Sequence, residues 1–269
     1  MGSIVAAREE TFRWEVFIWV SLTAISLQIL SNLSNDYGDY ISGVDNESRL
    51  GPQRMTQSGA ISENNMKKAI IISALSAFIF GMILIFVSFG GFKLGTLLFL
   101  FLGISAIVAA IRYTVGRKPY GYSGFGDVFV FLFFGIAGTA GSYYLHCLNW
   151  NWAILLPAST MGFFITGVLN INNIRDYESD KKCQKNTLIV KIGRNAGLWY
   201  HFFLILAGWF CFFIFTILQD KNYFLPILSL PFFIRNVWIV FQKKEAKDLN
   251  LELRNLSLMT FLFVILNIF

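Results

Sequence analysis

The feature that most constrains this chain is a series of long apolar runs that are almost free of charged side chains. Each run is roughly 20 residues long, the length that an α-helix needs to cross the hydrocarbon core of a bilayer. A soluble helix would present a polar face every turn or two, and these runs do not. The sequence therefore predicts an all-α, multi-span transmembrane helical bundle in a lipid bilayer. Eight spans are predicted, at 14–35, 69–88, 94–111, 127–147, 152–171, 198–218, 223–241 and 255–269.

The overall composition agrees with a membrane protein and argues against other classes. Only 14% of the residues are charged, against about a quarter in soluble domains. The net charge is +6, but the basic residues lie in short loops between apolar runs, where they orient helices, so we expect no nucleic-acid partner. The three cysteines have no paired spacing, which argues against a disulfide framework or a zinc site. They are Cys147, Cys183 and Cys211.

The Lys and Arg residues of the loops predict the topology. Counted from the loop after the first span, the successive loops carry 4, 1, 3, 0, 6, 1 and 4 of these residues. Cytoplasmic loops are the ones that carry an excess of Lys and Arg. Loops 36–68, 112–126, 172–197 and 242–254 are therefore predicted to face the cytoplasm, as in a multi-pass protein of the inner (cytoplasmic) membrane.

Two of these predicted cytoplasmic loops carry clusters of amide and carboxylate side chains. Spacings of three or four residues place Asn32, Asp36 and Asp39 on one helix face, and likewise Asn173, Asp176 and Asp180. Neighbouring carboxylates on such a face repel unless a cation lies between them. An ordinary role in turns or helix caps would explain one such cluster more easily than two. The first cluster contains Asn32, Asn35, Asp36, Asp39 and Asp45, and the second contains Asn172, Asn173, Asp176 and Asp180.

The two clusters suggest a site for magnesium and a diphosphate. Mg²⁺ takes a few carboxylate oxygens, keeps several waters and is completed by substrate phosphate oxygens. Basic residues on the same predicted side supply charge for the phosphates. These are Arg49, Arg54, Arg112, Lys118, Lys185 and Lys191.

The same motifs resemble the UbiA superfamily of intramembrane prenyltransferases, and within it the branch that serves menaquinone biosynthesis. Asn35-Asp36-x-x-Asp39 with Asp45 is similar to the family's first Asp-rich motif, and Asp176-x-x-x-Asp180 is similar to the second. The resemblance extends from about residue 14 to the end of the chain. Further matching stretches are Arg49-Leu50-Gly51-Pro52, Gln57-Ser58-Gly59, Tyr113 through Asp127, Asn172 through Asp176, and Lys185-Asn186-Thr187-Leu188 with Gly193.

The resemblance implies a fold and a reaction. The family usually has nine spans, so we expect a single prenyltransferase domain over 1–269 whose first helix is incomplete, with Met1 to Ala7 as its tail. The implied reaction moves a polyprenyl group from polyprenyl diphosphate to 1,4-dihydroxy-2-naphthoate with loss of carbon dioxide, giving demethylmenaquinol. Mg²⁺ is implied at Asp36, Asp39, Asp176 and Asp180. Substrate contacts are expected from Asn32, Asn35, Asp45, Arg49, Arg54, Arg112, Tyr113, Lys118, Asn172, Asn173 and Lys185, with Arg49 or Arg112 for the acceptor carboxylate.

Two alternatives stay open at this stage. One keeps the family and changes the acceptor to homogentisate, 4-hydroxybenzoate, chlorophyllide or haem. The other is a cation-coupled transporter, which would use the acidic clusters as ion sites. Transporters bind coupling ions near the midplane of the membrane, whereas Arg235 is the one ionisable residue expected deep inside a span here. The sequence therefore favours the transferase.

Overall fold

The computed structural model describes residues 1–44, 51, 54–219, 224–243 and 245–269. Throughout these ranges the regular structure is helical, without strands, and eight helices are long and apolar enough to cross a membrane. The predicted fold class and number of spans are confirmed. The spans are Trp14–Ile41, Glu63–Phe89, Leu94–Arg112, Gly126–Cys147, Trp152–Arg175, Arg194–Leu218, Leu225–Gln242 and Ala246–Leu266.

The helices are numbered in chain order, and five of them are short: α1, α5, α6, α8 and α9. A π-helical segment, Phe131–Gly141, joins α5 to α6. The helices are α1 Gly2–Arg8, α2 Trp14–Ile41, α3 Glu63–Phe89, α4 Leu94–Arg112, α5 Gly126–Val130, α6 Ser142–Cys147, α7 Leu155–Arg175, α8 Tyr177–Lys182, α9 Leu188–Ile192, α10 Arg194–Leu218, α11 Leu230–Gln242 and α12 Leu249–Leu266.

Helix ends depart most from the prediction where polar residues follow an apolar run. Helix α2 ends at Ile41 instead of residue 35, and α12 begins at Leu249 instead of residue 255. Amide and carboxylate side chains at a membrane interface can face water while their backbone stays in the helix, so hydropathy alone ends the helix too early. As a result, the first acidic motif is carried on the last turns of α2.

Glu252, which precedes the predicted span 255–269, is a buried carboxyl in the first turn of α12. Its side chain is only 1% exposed. The Glu252 carboxylate accepts hydrogen bonds from Asn236 Nδ2 at 2.9 Å and Asn255 Nδ2 at 3.2 Å, and Asn236 also contacts His201. A buried carboxylate persists in an apolar setting only with such partners.

Helix α7 is the centre of the bundle, and 61% of its span is buried. Phe164 of α7 packs against the rings of Phe233 and Phe263, with ring centroids 4.4 and 5.3 Å apart. On another side a Cβ atom at Gly135 would lie 2.4 Å from the Cα atom of Gly162, so the π-helical segment and α7 touch through their backbones. Small residues permit this close approach between membrane helices.

Side-chain contacts show which loops meet at each end of the bundle. At one end Asp39 is joined to Arg54 and Lys185, and the loops after α7 and α11 also meet there through a hydrogen bond from Arg194 to the carbonyl of Lys243. At the other end Arg13 donates to the carbonyl oxygens at the end of α3. The four loops rich in Lys and Arg therefore share one end, as their charge predicted.

Candidate functional site

A polar cavity of about 90 Å³, open to solvent, lies at the end of the bundle where the basic loops meet. The last turns of α2 and α7 both line it, together with α8 and the loops after α2, α4 and α8. Both acidic clusters therefore contribute to one cavity. The lining residues are Asn35, Asp39, Val44, Arg54, Tyr113, Leu169, Asn172, Asn173, Asp176, Ser179, Asp180 and Lys185.

Asp39 holds two cations at the cavity wall. Its carboxylate accepts from Arg54 Nη2 at 3.1 Å and from Lys185 Nζ at 3.2 Å, and the Tyr122 hydroxyl donates to it at 2.6 Å. The Lys185 ammonium also lies over the Tyr122 ring, 5.0 Å from its centroid. Asp39 is only 4% exposed, so these charge-assisted bonds fix the two basic side chains well. Two phosphate-binding groups are thus placed beside each other.

Asp36 does not line this cavity, which differs from the sequence expectation. Its two carboxylate oxygens accept the backbone N–H groups of Met55 and Thr56, at 3.1 and 3.2 Å. Residues three apart on a helix are offset by about 60° around its axis, so Asp36 faces the returning loop while Asp39 faces the cavity. Asp36 thereby anchors the segment that presents Arg54.

The second cluster is organised around Arg175. Asp176 follows the last residue of α7, and its two oxygens accept from Arg175 Nε at 2.7 Å and Nη2 at 2.6 Å. Nη2 also donates to Asn172 Oδ1 at 2.7 Å, and Nη1 donates to Asn250 Oδ1 of α12 at 2.9 Å. The guanidinium therefore joins two cavity-lining side chains to a neighbouring helix.

Asp180 is a buried carboxyl in the same wall, one turn after Asp176 in the chain. Burial raises the pKa of Asp180 to about 7, Lys185 opposes the shift, and the carboxylates of Asp176 and Asp39 add to it. Three acidic groups are thus close enough to repel each other. A cation among them would relieve that repulsion.

Tyr113 lies at the junction of α4 and the cavity. Burial, followed by the charges of Asp127 and Asp39, raises the pKa of the Tyr113 hydroxyl above its usual range. The hydroxyl therefore stays protonated and acts through hydrogen bonds, not as a phenolate. Its hydroxyl lies 2.9 Å from where a Cβ atom of Gly126 would be. The absence of a side chain at Gly126 leaves room for this ring.

The structure brings together Asn35, Asp39, Arg54, Tyr113, Asn172, Asn173, Asp176, Asp180 and Lys185 of the predicted site. Asn32, Arg112 and Lys118 are exposed and do not line the cavity. Asp45 and Arg49 lie outside the described residues. The sequence prediction missed the contributions of Arg175 and Ser179, although the position of Arg175 directly before Asp176 was a usable signal.

The cavity suits a magnesium ion only if a substrate completes its coordination. In the described part of the chain, no three Asp, Glu, His or Cys side chains are grouped closely enough to hold a metal ion on their own. The oxygen donors of Asp39, Asp176, Asp180 and the nearby amides are nevertheless of the kind that Mg²⁺ prefers. The mutual repulsion at Asp180 also favours a cation. These residues therefore fit an ion that is shared with phosphate oxygens.

Comparison with known proteins assigns the class. The model of the UbiA prenyltransferase family matches residues 1–263. The chain belongs to this family, and it is a prenyltransferase with a multi-span helical membrane fold. No solved structure matches it.

Three relatives share one name. The chain is 40% identical over 263 residues to 1,4-dihydroxy-2-naphthoate octaprenyltransferase of Haemophilus influenzae, covering 97% of this chain and 85% of the relative. It is 37% identical over 280 residues to the Escherichia coli protein of the same name, covering 100% of this chain and 89% of that one. A third, from Mycobacterium tuberculosis, is 33% identical over 196 residues, covering 72% and 64%.

Proposed function

We propose that this protein transfers a polyprenyl group from polyprenyl diphosphate to 1,4-dihydroxy-2-naphthoate, with loss of carbon dioxide, giving demethylmenaquinol. The observation that carries the proposal is that Asp39, with its two cations, lines the same cavity as Asp176 and Asp180. The names of the relatives that match along nearly the whole chain support the choice of acceptor.

The donor diphosphate would bind between the two acidic walls. The charged groups of Arg54 and Lys185 both contact Asp39 at the edge of the cavity. They would therefore stabilise the negative charge that grows on the departing diphosphate. When bound, Mg²⁺ would add Lewis-acid stabilisation of the phosphate oxygens, held by Asp39, Asp176 and Asp180 with amide oxygens of Asn35, Asn172 and Asn173. Dependence on Mg²⁺ is part of this proposal.

The prenyl transfer and the loss of carbon dioxide need no added oxidant or base. The C–O bond between the prenyl carbon and the diphosphate breaks, and its electron pair leaves with the diphosphate. The ring carbon that bears the carboxylate forms the new C–C bond. The electron pair of the C–COO⁻ bond then returns to the ring as carbon dioxide leaves. Aromatic rings near the cavity, including those of Tyr113 and Tyr120, can stabilise the allylic cation through their faces.

We further propose that the cavity faces the cytoplasm of a cell whose inner membrane holds the bundle. The loops at the cavity end carry the excess of Lys and Arg, and the opposite end carries fewer, namely Arg8, Arg13, Lys93 and Lys221. Cytoplasmic loops show this bias generally. Soluble 1,4-dihydroxy-2-naphthoate would then reach the cavity from the cytoplasm.

The acceptor can be tested with purified protein in detergent, given Mg²⁺, a long-chain prenyl diphosphate and one acceptor at a time. With 1,4-dihydroxy-2-naphthoate labelled in its carboxyl group, we expect release of labelled carbon dioxide in equal amounts to the prenylated product. Prenylation of 4-hydroxybenzoate or homogentisate, without turnover of the naphthoate, would contradict the proposed acceptor. Formation of product that retains the label would contradict the proposed bond changes.

A further inference from the structure

We infer that Arg175 is a positioning residue, which aims the carboxylate of Asp176 and the amide of Asn172 into the cavity without touching substrate itself. The inference rests on the proposed function, because it assigns Asp176 to the magnesium and diphosphate site. It adds a residue, and a connection to helix α12, that the acidic motifs alone do not contain.

The first reason is that Arg175 is buried and uses all three of its nitrogens. It is 4% exposed and does not line the cavity, whereas Asp176 and Asn172 do. Nε and Nη2 donate to the two oxygens of Asp176, Nη2 also to Asn172, and Nη1 to Asn250. A planar guanidinium fork fixes a carboxylate in both distance and orientation.

The second reason is what the fork leaves available. Each oxygen of Asp176 has two lone pairs, and Arg175 takes one hydrogen bond to each. The Asp176 side chain stays 14% exposed, on the cavity side. Its remaining lone pairs can therefore meet a cation. Partners that hold a ligating carboxylate in this way commonly matter for metal affinity.

The third reason is the anchor on the far side. Asn250 lies in the first turn of α12 and accepts from Nη1 at 2.9 Å. It belongs to neither acidic motif and does not line the cavity. Through this bond the orientation of Asp176 depends on the docking of α12 against α7. A change at Asn250 should therefore reach the cavity although the residue never contacts substrate.

The alternative role for Arg175 is that of a competing counterion, and substitutions separate the two. Arg175→Lys keeps the charge and removes the fork, so only the positioning role predicts weaker metal binding. Arg175→Gln removes the charge as well, so a competing counterion predicts tighter binding. Asn250→Ala leaves Arg175 unchanged and removes the acceptor of its Nη1 hydrogen bond. This variant remains informative if the Arg175 variants do not fold.

The measurement is the binding of Mn²⁺ with inorganic pyrophosphate to the purified full chain, read from the electron paramagnetic resonance of free Mn²⁺. The Mg²⁺ concentration for half-maximal turnover is measured in parallel. We expect about tenfold weaker binding for Arg175→Lys and Arg175→Gln, a smaller loss in the same direction for Asn250→Ala, and wild-type affinity for Ser257→Ala, a control at an exposed position on the same helix.

The outcomes distinguish the inference from the proposed function. If Asp176→Asn abolishes Mn²⁺ binding while Arg175→Lys binds as wild type does, the positioning role is overturned and the proposed function stands. Tighter binding by Arg175→Gln would also overturn it. If Asp176→Asn itself binds Mn²⁺ as wild type does, the magnesium site and the positioning role both fail.

Discussion

Asp39 and Asp36 stand three residues apart in one motif, yet their surroundings give them different tasks. Asp39 is bonded to two cations and a hydroxyl inside the cavity. Asp36 is bonded to two backbone N–H groups of the loop that presents Arg54. Asp39 therefore positions charged groups in the cavity, whereas Asp36 holds the loop that forms part of the cavity wall.

Asp39→Asn is expected to lower kcat by about 100-fold or more, because it releases both cations and removes a cation-binding carboxylate. Asp36→Asn should lower kcat by less than about tenfold, since an amide oxygen still accepts one of the two N–H groups. Initial rates with saturating naphthoate and prenyl diphosphate check both variants. Equal losses in the two variants, at equal protein stability, would contradict the separate tasks.

The pKa of Asp180 predicts how magnesium use depends on pH. Because the pKa is raised to about 7, the carboxyl is mostly protonated at pH 6, and a cation must displace that proton. The Mg²⁺ concentration for half-maximal activity should therefore rise about tenfold from pH 8 to pH 6. Titrations of Mg²⁺ at both pH values measure it. Asp180→Asn should lack the dependence, and a variant as pH-sensitive as wild type would refute the assignment.

At the scale of helices, the sequence correctly predicted that each span exists but misplaced the ends of several helices. Apolar runs reveal spans because lipid excludes charge over about 20 residues. The ends of α2 and α12 were misplaced because the polar residues there remain helical. Those turns carry Asp39 and Asn250, so the part of each helix that hydropathy describes least well is the part that builds the site.

Within the site, the sequence predicted most lining residues but few of their pairings. The spacing of the first motif predicted that Asp36 and Asp39 act on one helix face, but only Asp39 lines the cavity. The bond between Lys185 and Asp39 joins residues 146 positions apart, and nothing local in the sequence specifies it. The orientation of Asp36 likewise depends on where the loop after α2 returns. Such pairings are set by how the helices pack.

Gly38 on α2 is expected to be intolerant of any side chain. A Cβ atom there would lie 2.4 Å from Thr114 Oγ1 and 2.8 Å from the Thr114 backbone carbon, and Thr114 is held in place by a hydrogen bond to the Ser34 carbonyl. Gly38→Ala should destabilise the protein by about 1–3 kcal/mol through overpacking, lowering Tm and prenyl transfer together.

Gly103 on α4 provides the matched control for Gly38. Nothing lies within 4 Å of the position that its Cβ atom would take. Gly103→Ala should leave activity unchanged and raise stability slightly, by about 0.5–1 kcal/mol, since alanine favours a helix more than glycine does. Thermal unfolding in the same detergent compares the two variants. A Gly38→Ala protein as stable as Gly103→Ala would show that the contact at Thr114 is not tight.

For the molecule as a whole, the orientation of the bundle is a separate prediction that labelling can check. In a background without the native cysteines, Lys182→Cys places a thiol at the cavity end and Asn149→Cys places one at the opposite end, and both positions are exposed. A membrane-impermeant maleimide added to intact cells should label Asn149→Cys only. In inverted membrane vesicles it should label Lys182→Cys only, and the reverse pattern would put the cavity outside.

The central claim is that both acidic clusters serve one diphosphate site, and a double-mutant cycle of Asp39→Asn and Asp176→Asn tests it most directly. The quantity is the rate of Mg²⁺-dependent prenyl transfer, with Asp248→Asn, an exposed carboxylate at the same end, as the control. We predict that each single variant loses about 100-fold or more, that the double variant falls little below the worse single one because the residues act as a unit, and that the control keeps its rate. A wild-type rate in either single variant, or losses that multiply in the double variant, would contradict the single site.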